Sequence, residues 1–351
     1  MIRAPAPATL RVGIIAPISF PVLPDTGHSI EQIVSLLTEE LVRRGHSVTL
    51  FATGNSRTSA RLEYRYERGT AADSELWDWQ FHEVMHAAAA LEQADDFDVF
   101  HSHAYHRALP FTRFVTTPIL HTYHVDVYPD VMRSFGLIPE ARLIAISDSQ
   151  RRAMEGLSSV PVVHHGIDTD AFEFSARGGD YLLFLGQIVE RKGPLEAIRI
   201  AAQVGMPLVL AGPMGNHAAP FMAPHIDGAQ VRYVGPVAPA ERNKLLAGAA
   251  ALLYPISAPE PFGLVMIEAM AAGTPVLATA HGAVPEVIDQ GTTGFFADGT
   301  AALADLVPAV LELDRRRVRA VAVERWDYRR MVDGYERIYT SVASGREVQP
   351  A

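Results

Sequence analysis

Short apolar runs alternate with helix-patterned stretches along all 351 residues, and the series starts twice. Residues 10–16 read as a first strand. Ile30, Ile33, Val34, Leu37 and Leu41 then mark one face of a helix that Gly45 ends, and 48–51 return as a strand. Residues 77–93 read as a long helix, and 99–100, 119–120 and 143–146 as short strands. The series restarts with a strand at 181–185, a helix at 194–203, and strands at 207–211 and 231–234. A helix at 238–249, a strand at 251–254 and a helix around Glu268 follow. Strands that alternate with helices call for parallel sheets joined by crossover helices. The expectation is an α/β chain with one Rossmann-like domain over 1–172, a second over 173–325, and an amphipathic helix within 326–351.

Composition narrows the function classes. Hydrophobic residues make up 48% and charged residues 20%, ordinary values for a globular protein, and the length is enough for two domains. A net charge of −10 argues against a chain built to neutralise nucleic-acid phosphates. There is no cysteine, which removes disulfide and thiol chemistry. The first residues lack a continuous apolar stretch of the signal-peptide kind, and no run of about 18 apolar residues is present, so no transmembrane segment is expected. A cytoplasmic enzyme is the default expectation.

The strongest chemical signal is the string Pro259-Glu260-Pro261-Phe262-Gly263-Leu264, continuing to Glu268 and ending in Gly273-Thr274-Pro275-Val276. Glu260 and Glu268 stand eight positions apart. Leu264, Ile267, Glu268 and Ala271 recur at helical spacing, and Gly273 with Pro275 stops the helix. N–H groups at such a helix start form an anion site without any basic side chain. A carboxylate about one and a half turns in suits vicinal ribose hydroxyls, and Glu260, before the turn, can reach a second part of a ligand. The competing reading makes Glu260 a solvated loop acid and Glu268 a paired surface acid.

The string resembles the donor-binding motif of the retaining, nucleotide-sugar-dependent glycosyltransferases of family 4, and further segments resemble that family in the same order. They include Asp98-Val99-Phe100-His101-Ser102-His103, Ala145-Ile146-Ser147-Asp148-Ser149-Gln150, and His165-Gly166-Ile167-Asp168. The resemblance implies the GT-B fold: two Rossmann-like domains facing across a cleft, the first on the acceptor side, the second on the donor side, with the C-terminal helix packing back on the first. It implies a metal-independent hexosyltransferase-type activity that uses a UDP- or GDP-sugar as substrate, with no cofactor. The acceptor would be a sugar, lipid-linked or small-molecule hydroxyl compound. By the same resemblance Glu260 contacts the donor sugar and Glu268 holds the ribose. Phe262, Gly263 and Leu264 present backbone N–H groups to sugar or diphosphate, with Pro261 also in the donor site, Lys192 clamps the phosphate, and His124 contacts the donor sugar near the reaction centre.

Two departures stand out. The family's phosphate clamp pairs an arginine with the lysine, but Gln187 occupies the arginine position here, with Arg191 nearby as a stand-in. Loss of an arginine removes charge and bidentate geometry from a leaving phosphate. The family's Gly-Gly before its first helix is replaced by His28-Ser29, preceded by Gly27. Ser29 reads as an N-cap, and His28 as a group able to compensate for the missing arginine.

The chain has 14 histidines. His101, His103 and His106 show metal-like spacing, but no cysteine or acid-rich frame accompanies them, so they read as polar groups at a strand end lining the cleft. Asp96-Phe97-Asp98 and Asp168-Thr169-Asp170 read as structural, not as metal-binding D-x-D motifs. No G-x-G-x-x-G stands at a strand end, which weighs against a dinucleotide oxidoreductase. Two alternatives stay open beside the transferase. One is another sugar-nucleotide enzyme of the same architecture, such as a hydrolysing epimerase, a phosphorylase or a pseudo-glycosyltransferase. The other is a non-catalytic nucleotide-sugar binder.

Overall fold

The computed structural model describes residues 9–154, 156–157 and 160–346. The chain divides into two compact units, Met1–His165 with Tyr328–Ala351, and Gly166–Asp327.

The first unit carries β1 (Arg11–Ile15), α1 (Ser29–Arg43), β2 (Ser47–Ala52), β3 (Arg61–Tyr64), α2 (Trp79–Leu91), β4 (Val99–Ser102), β5 (Ile119–Thr122), α3 (Pro129–Gly136), β6 (Arg142–Ile144) and α4 (Asp148–Ala153). Its sheet is parallel, in the order β3-β2-β1-β4-β5-β6. Strands β4 and β5 are buried along their whole length, as strands covered on both faces must be. Strand β3 escaped the sequence reading because it is a half-exposed edge strand with Arg61 and Glu63 in it. Ser29 is not the N-cap expected of it. The chain is already extended at His28, whose carbonyl accepts the Gln32 N–H at 2.9 Å, so His28 is the N-cap and Ser29 the first helical residue.

The second unit carries β7 (Leu182–Leu185), α5 (Pro194–Val204), β8 (Leu208–Ala211), α6 (Ala219–Met222), β9 (Val231–Gly235), α7 (Pro239–Gly248), β10 (Ala251–Tyr254), α8 (Leu264–Ala271), β11 (Val276–Thr279), α9 (Val284–Val287), β12 (Gly294–Ala297), α10 (Thr300–Leu311) and α11 (Arg315–Trp326). Its parallel sheet runs β12-β11-β10-β7-β8-β9. Numbered within each unit, both sheets have the order 3-2-1-4-5-6 of the doubly wound dinucleotide-binding fold. The switch of direction falls between β1 and β4 in the first unit and between β7 and β10 in the second.

A last helix, α12 (Tyr328–Ala343), belongs to the first unit and packs on α1. Its Met331, Val332, Tyr335, Ile338, Tyr339 and Val342 are buried. Arg44, at the end of α1, reaches Glu336 at 2.6 Å and Asp333 at 2.7 Å, and His46 Nε2 lies 3.0 Å from Glu336.

In the second unit one buried arginine ties several segments together. Arg315 donates to the carbonyls of Ser175, Ala247 and Ala249 at 2.9–3.0 Å and to the Thr274 hydroxyl at 2.6 Å. Burial pushes its pKa down to about 10, still far above neutrality. Arg315→Leu would leave three carbonyls and a hydroxyl without their donor. Each such orphan costs about 1–3 kcal/mol, so urea unfolding should show a loss of about 3 kcal/mol or more. An unchanged midpoint would contradict this role.

Candidate functional site

In open α/β sheets, ligands bind beyond the carboxyl ends of the strands, at the switch point. In the second unit Lys192 follows β7 and Glu260 follows β10, so the topology delivers both to that place. The turn Glu190–Lys192 ends at Gly193, whose φ is +73°, and a Cβ there would lie 2.0 Å from the Pro255 carbonyl oxygen. Only glycine permits this conformation and approach. The Ser257 N–H donates to the Arg191 carbonyl at 3.0 Å, binding the turn to the segment after β10.

The turn brings the Lys192 ammonium onto Glu260, which accepts from it in a short ion pair. Glu260 also accepts from the Tyr254 hydroxyl at 2.7 Å, and Lys192 Nζ lies 3.0 Å from that hydroxyl. Burial, then the neighbouring Glu260, raises the Tyr254 pKa well above its ordinary value, so the phenol stays protonated as a donor. The three groups form a closed triangle. The sequence reading placed Lys192 on the diphosphate and Glu260 on the sugar; here they hold each other. Tyr254 is the member it missed, since an aromatic residue ending an apolar strand reads as core.

Helix α8 opens at Gly263, with φ +86°, and Leu264 is its first residue. The first N–H groups of any helix have no intrahelical partner. Phe262 is buried with its ring edge-on to Trp326, and Pro261 stands half-buried before the turn. Residues 266–271 are all buried, Glu268 among them at 5% exposure. Its counterion is Arg242 of α7, with Nη1 3.1 Å from Oε1. Among the described residues no N–H or hydroxyl donates a hydrogen bond to the Glu268 carboxylate beyond that ion pair. Burial raises its pKa, and Arg242 works against the rise. The paired surface acid of the competing reading is therefore a buried acid. Gln187 and Arg191 are both exposed, and among the described residues no carboxylate pairs with Arg191.

The first unit presents a different arrangement. Gly27 is exposed with open space around it, and the exposed His28 ring stacks on Phe20 at 3.5 Å. Partial desolvation of the ring lowers the His28 pKa and so disfavours its charged form.

His101 and His103 do not line an open surface, contrary to the sequence reading; both are fully buried. Nδ1 of His101 meets the Tyr339 hydroxyl at 2.6 Å, Nε2 meets Thr122 Oγ1 at 2.7 Å, and Thr122 donates on to Tyr335. Tyr335 and Tyr339 belong to α12, which covers this strand end. His124 is bound on both sides, by His103 at 2.8 Å and His165 at 3.2 Å. Both of its ring nitrogens are occupied, so contact with a sugar would require one of these bonds to open. Asp98 ties the start of β4 to Arg11, and Asp168 accepts from the Asp170 N–H at 3.1 Å, so both have structural work.

Comparison with known proteins gives the class. The chain matches the model of Glycosyl transferases group 1 over residues 168–324 and that of Glycosyltransferase Family 4 over 30–171. It is 31% identical to a phosphatidyl-myo-inositol mannosyltransferase of Mycobacterium tuberculosis, across 97% of this chain and all of the relative. It is 28% identical to a D-inositol 3-phosphate glycosyltransferase of Mycobacterium avium, across 69% of each. AviGT4, a glycosyltransferase involved in avilamycin A biosynthesis, superposes with a TM-score of 0.75 at 26% identity, covering 96% of this chain and 98% of that one. The sucrose-phosphate synthase of Thermosynechococcus elongatus shares the fold, with a TM-score of 0.77 at 19% identity and coverage of 95% and 99%. Two Rossmann-ordered units with these matches identify a glycosyltransferase of the GT-B fold. The chain belongs to glycosyltransferase family 4.

The buried imidazoles carry a pH consequence. Burial lowers His86 and His121 to about 4 and His165 to about 3, and holds His101, His103 and His124 well below 6.5. Below pH 6.5 the unfolded chain binds these protons and the folded chain does not, so their contribution to stability falls with pH. Each fully depressed imidazole loses at most about 2 kcal/mol by pH 5. Buried Glu31 and Glu83, raised to about 7 by desolvation, act the opposite way, gaining stability over the same window. With six imidazoles against three carboxyls, the third being Glu268, whose pKa burial also raises, the thermal midpoint should fall by several degrees from pH 7 to pH 5 at fixed ionic strength. A rise would show that the carboxyls dominate.

Proposed function

We propose that this protein transfers a sugar from a nucleotide-diphosphate sugar to a hydroxyl acceptor with retention of anomeric configuration, without a metal ion. The observation that carries the reading is Glu268: a buried carboxylate with an ion pair but, among the described residues, no further hydrogen-bond donor, about one and a half turns into α8, the helix that follows β10 at the switch point. An acceptor-only group left so is costly unless a ligand supplies the donors, and two ribose hydroxyls do. HepE of Anabaena, solved with UDP and glucose, supports the fold's suitability for such a donor.

On this reading the bond between the anomeric carbon and the diphosphate oxygen breaks while the acceptor oxygen bonds to that carbon on the same face. The leaving phosphate oxygen takes the acceptor's proton, so no strong base is required of the protein. Charge develops on the diphosphate, where Lys192, Arg191 and the N–H groups at Gly263 and Leu264 meet it. Donor binding then exchanges the Lys192–Glu260 pair for Lys192 on phosphate and Glu260 on sugar hydroxyls, with Tyr254 retaining its hold on Glu260. The relatives' names nominate acceptors that carry an inositol ring.

The test is turnover of UDP- and GDP-hexoses with myo-inositol, inositol 3-phosphate or phosphatidylinositol vesicles, with chelator present, followed by anomeric NMR of the product. Glycoside of unchanged configuration is expected. A changed free sugar identifies an epimerase, and binding heat without product identifies a binder; either overturns the proposal.

Side chains divide the donor. Glu260→Gln should weaken the intact donor about tenfold more than the free nucleotide, as the loss of a hydrogen bond to a charged group does. Equal losses would remove Glu260 from the sugar. Gln187→Arg should lower kcat/KM, because Arg191 already supplies the charge and a second guanidinium crowds it. A gain, with Arg191→Ala silent, would show a donor site that simply lacks its arginine.

A further inference from the structure

We infer that Arg242 is a positioning residue for the nucleotide: it holds the Glu268 carboxylate ionised and aimed so that both ribose hydroxyls donate to it. The inference rests on the ribose reading of Glu268 given above. Arg242 comes from α7, an element that no part of the donor motif touches in sequence. Its guanidinium lies 3.1 Å from Glu268 Oε1 and 5.8 Å from the centre of the Phe172 ring. Its Nε is buried without a hydrogen-bond partner, so among the described residues the contacts that hold the group are the ring and the carboxylate.

The chemistry follows from what each protonation state of Glu268 offers. An ionised carboxylate accepts from two hydroxyls. A protonated one donates once, and one of two vicinal hydroxyls must then turn round to meet it. Burial favours the protonated form, and a permanently charged neighbour opposes it. A guanidinium satisfied elsewhere by carbonyls, as Arg315 and Arg319 are, could not do this as strongly. Arg242 has the carboxylate as its one ion pair among the described residues.

The experiment measures the Kd of the full chain for UDP or GDP, whichever binds more tightly, and for its 2′-deoxy counterpart, by titration calorimetry. Arg242→Gln should weaken the ribonucleotide about tenfold and the 2′-deoxynucleotide less than threefold. Arg242→Lys should restore affinity to within about threefold of the parent. In a Glu268→Gln background, Arg242→Gln should cost less than twofold more, because the two residues act as one. Arg242→Met keeps the packing on Phe172 and replaces Arg242→Gln if that variant does not fold. Equal losses for both nucleotides, or additive losses in the double variant, overturn the inference while leaving Glu268 on the ribose. An unchanged affinity in Glu268→Gln alone overturns the ribose reading, and this inference with it.

Discussion

Strands β7 and β10 lie side by side, with Leu183 opposite Leu252, although an α/β crossover and two further strands separate them in sequence. The sheet grows away from this pair in both directions, β8 and β9 on one side and β11 and β12 on the other. The connections leaving the two strands therefore diverge, which in this topology makes room for a ligand beyond their carboxyl ends. That constraint fixes where Lys192 and Glu260 must arrive. The glycine turn at Gly193, pressed on Pro255, sets how closely they approach.

Much of this was legible in the chain itself, because short apolar runs between helix patterns leave few alternatives to parallel sheets. The expected strand at 251–254 is the observed β10, and the helix expected at 194–203 is α5 extended by one residue. What escaped has identifiable causes. Strand β11 directly follows the Gly273–Pro275 stop and looks like its continuation, whereas β3 lacks an apolar face to announce it. Tyr254 meets Lys192 from a distant strand end, and Arg242 meets Glu268 from a different helix, and neither occupies a position that spacing or periodicity marks. The burial of His101 and His103 depends on Tyr335 and Tyr339, more than 200 residues further on. Sequence patterns show that a strand ends in polar residues; they do not show what lies over it.

The two units differ in where their buried polar groups go. In the first, the imidazoles satisfy one another only in part: His124 has both nitrogens taken, while Nε2 of His103 and Nδ1 of His121 are buried without a hydrogen-bond partner among the described residues. Acidification adds the cost of placing protons on such a buried network. In the second, Glu268 is buried with Arg242 as its ion-pair partner and no further donor among the described residues. A buried carboxylate usually accepts more than one hydrogen bond. On the proposed reading, the ligand supplies the donors it lacks.

Charge balance in the second unit bears on how a diphosphate would be held there. Lys192 is neutralised by Glu260 and Arg242 by Glu268, so the four side chains together carry no net charge. A diphosphate entering this set finds its cationic partners already committed. Sharing Lys192 weakens the hold of that lysine on Glu260, and freeing Glu260 is useful only if sugar hydroxyls replace the lost donor. Tyr254, still donating to Glu260, makes that exchange partial and so less costly. The remaining negative charge needs a cation that is not already paired, and Arg191 is exposed, uncommitted, and near enough to Tyr254 to lower that phenol's pKa. On the proposed reading, Arg191, four residues after Gln187 and at the start of the turn that delivers Lys192, is the cation available to replace the missing arginine.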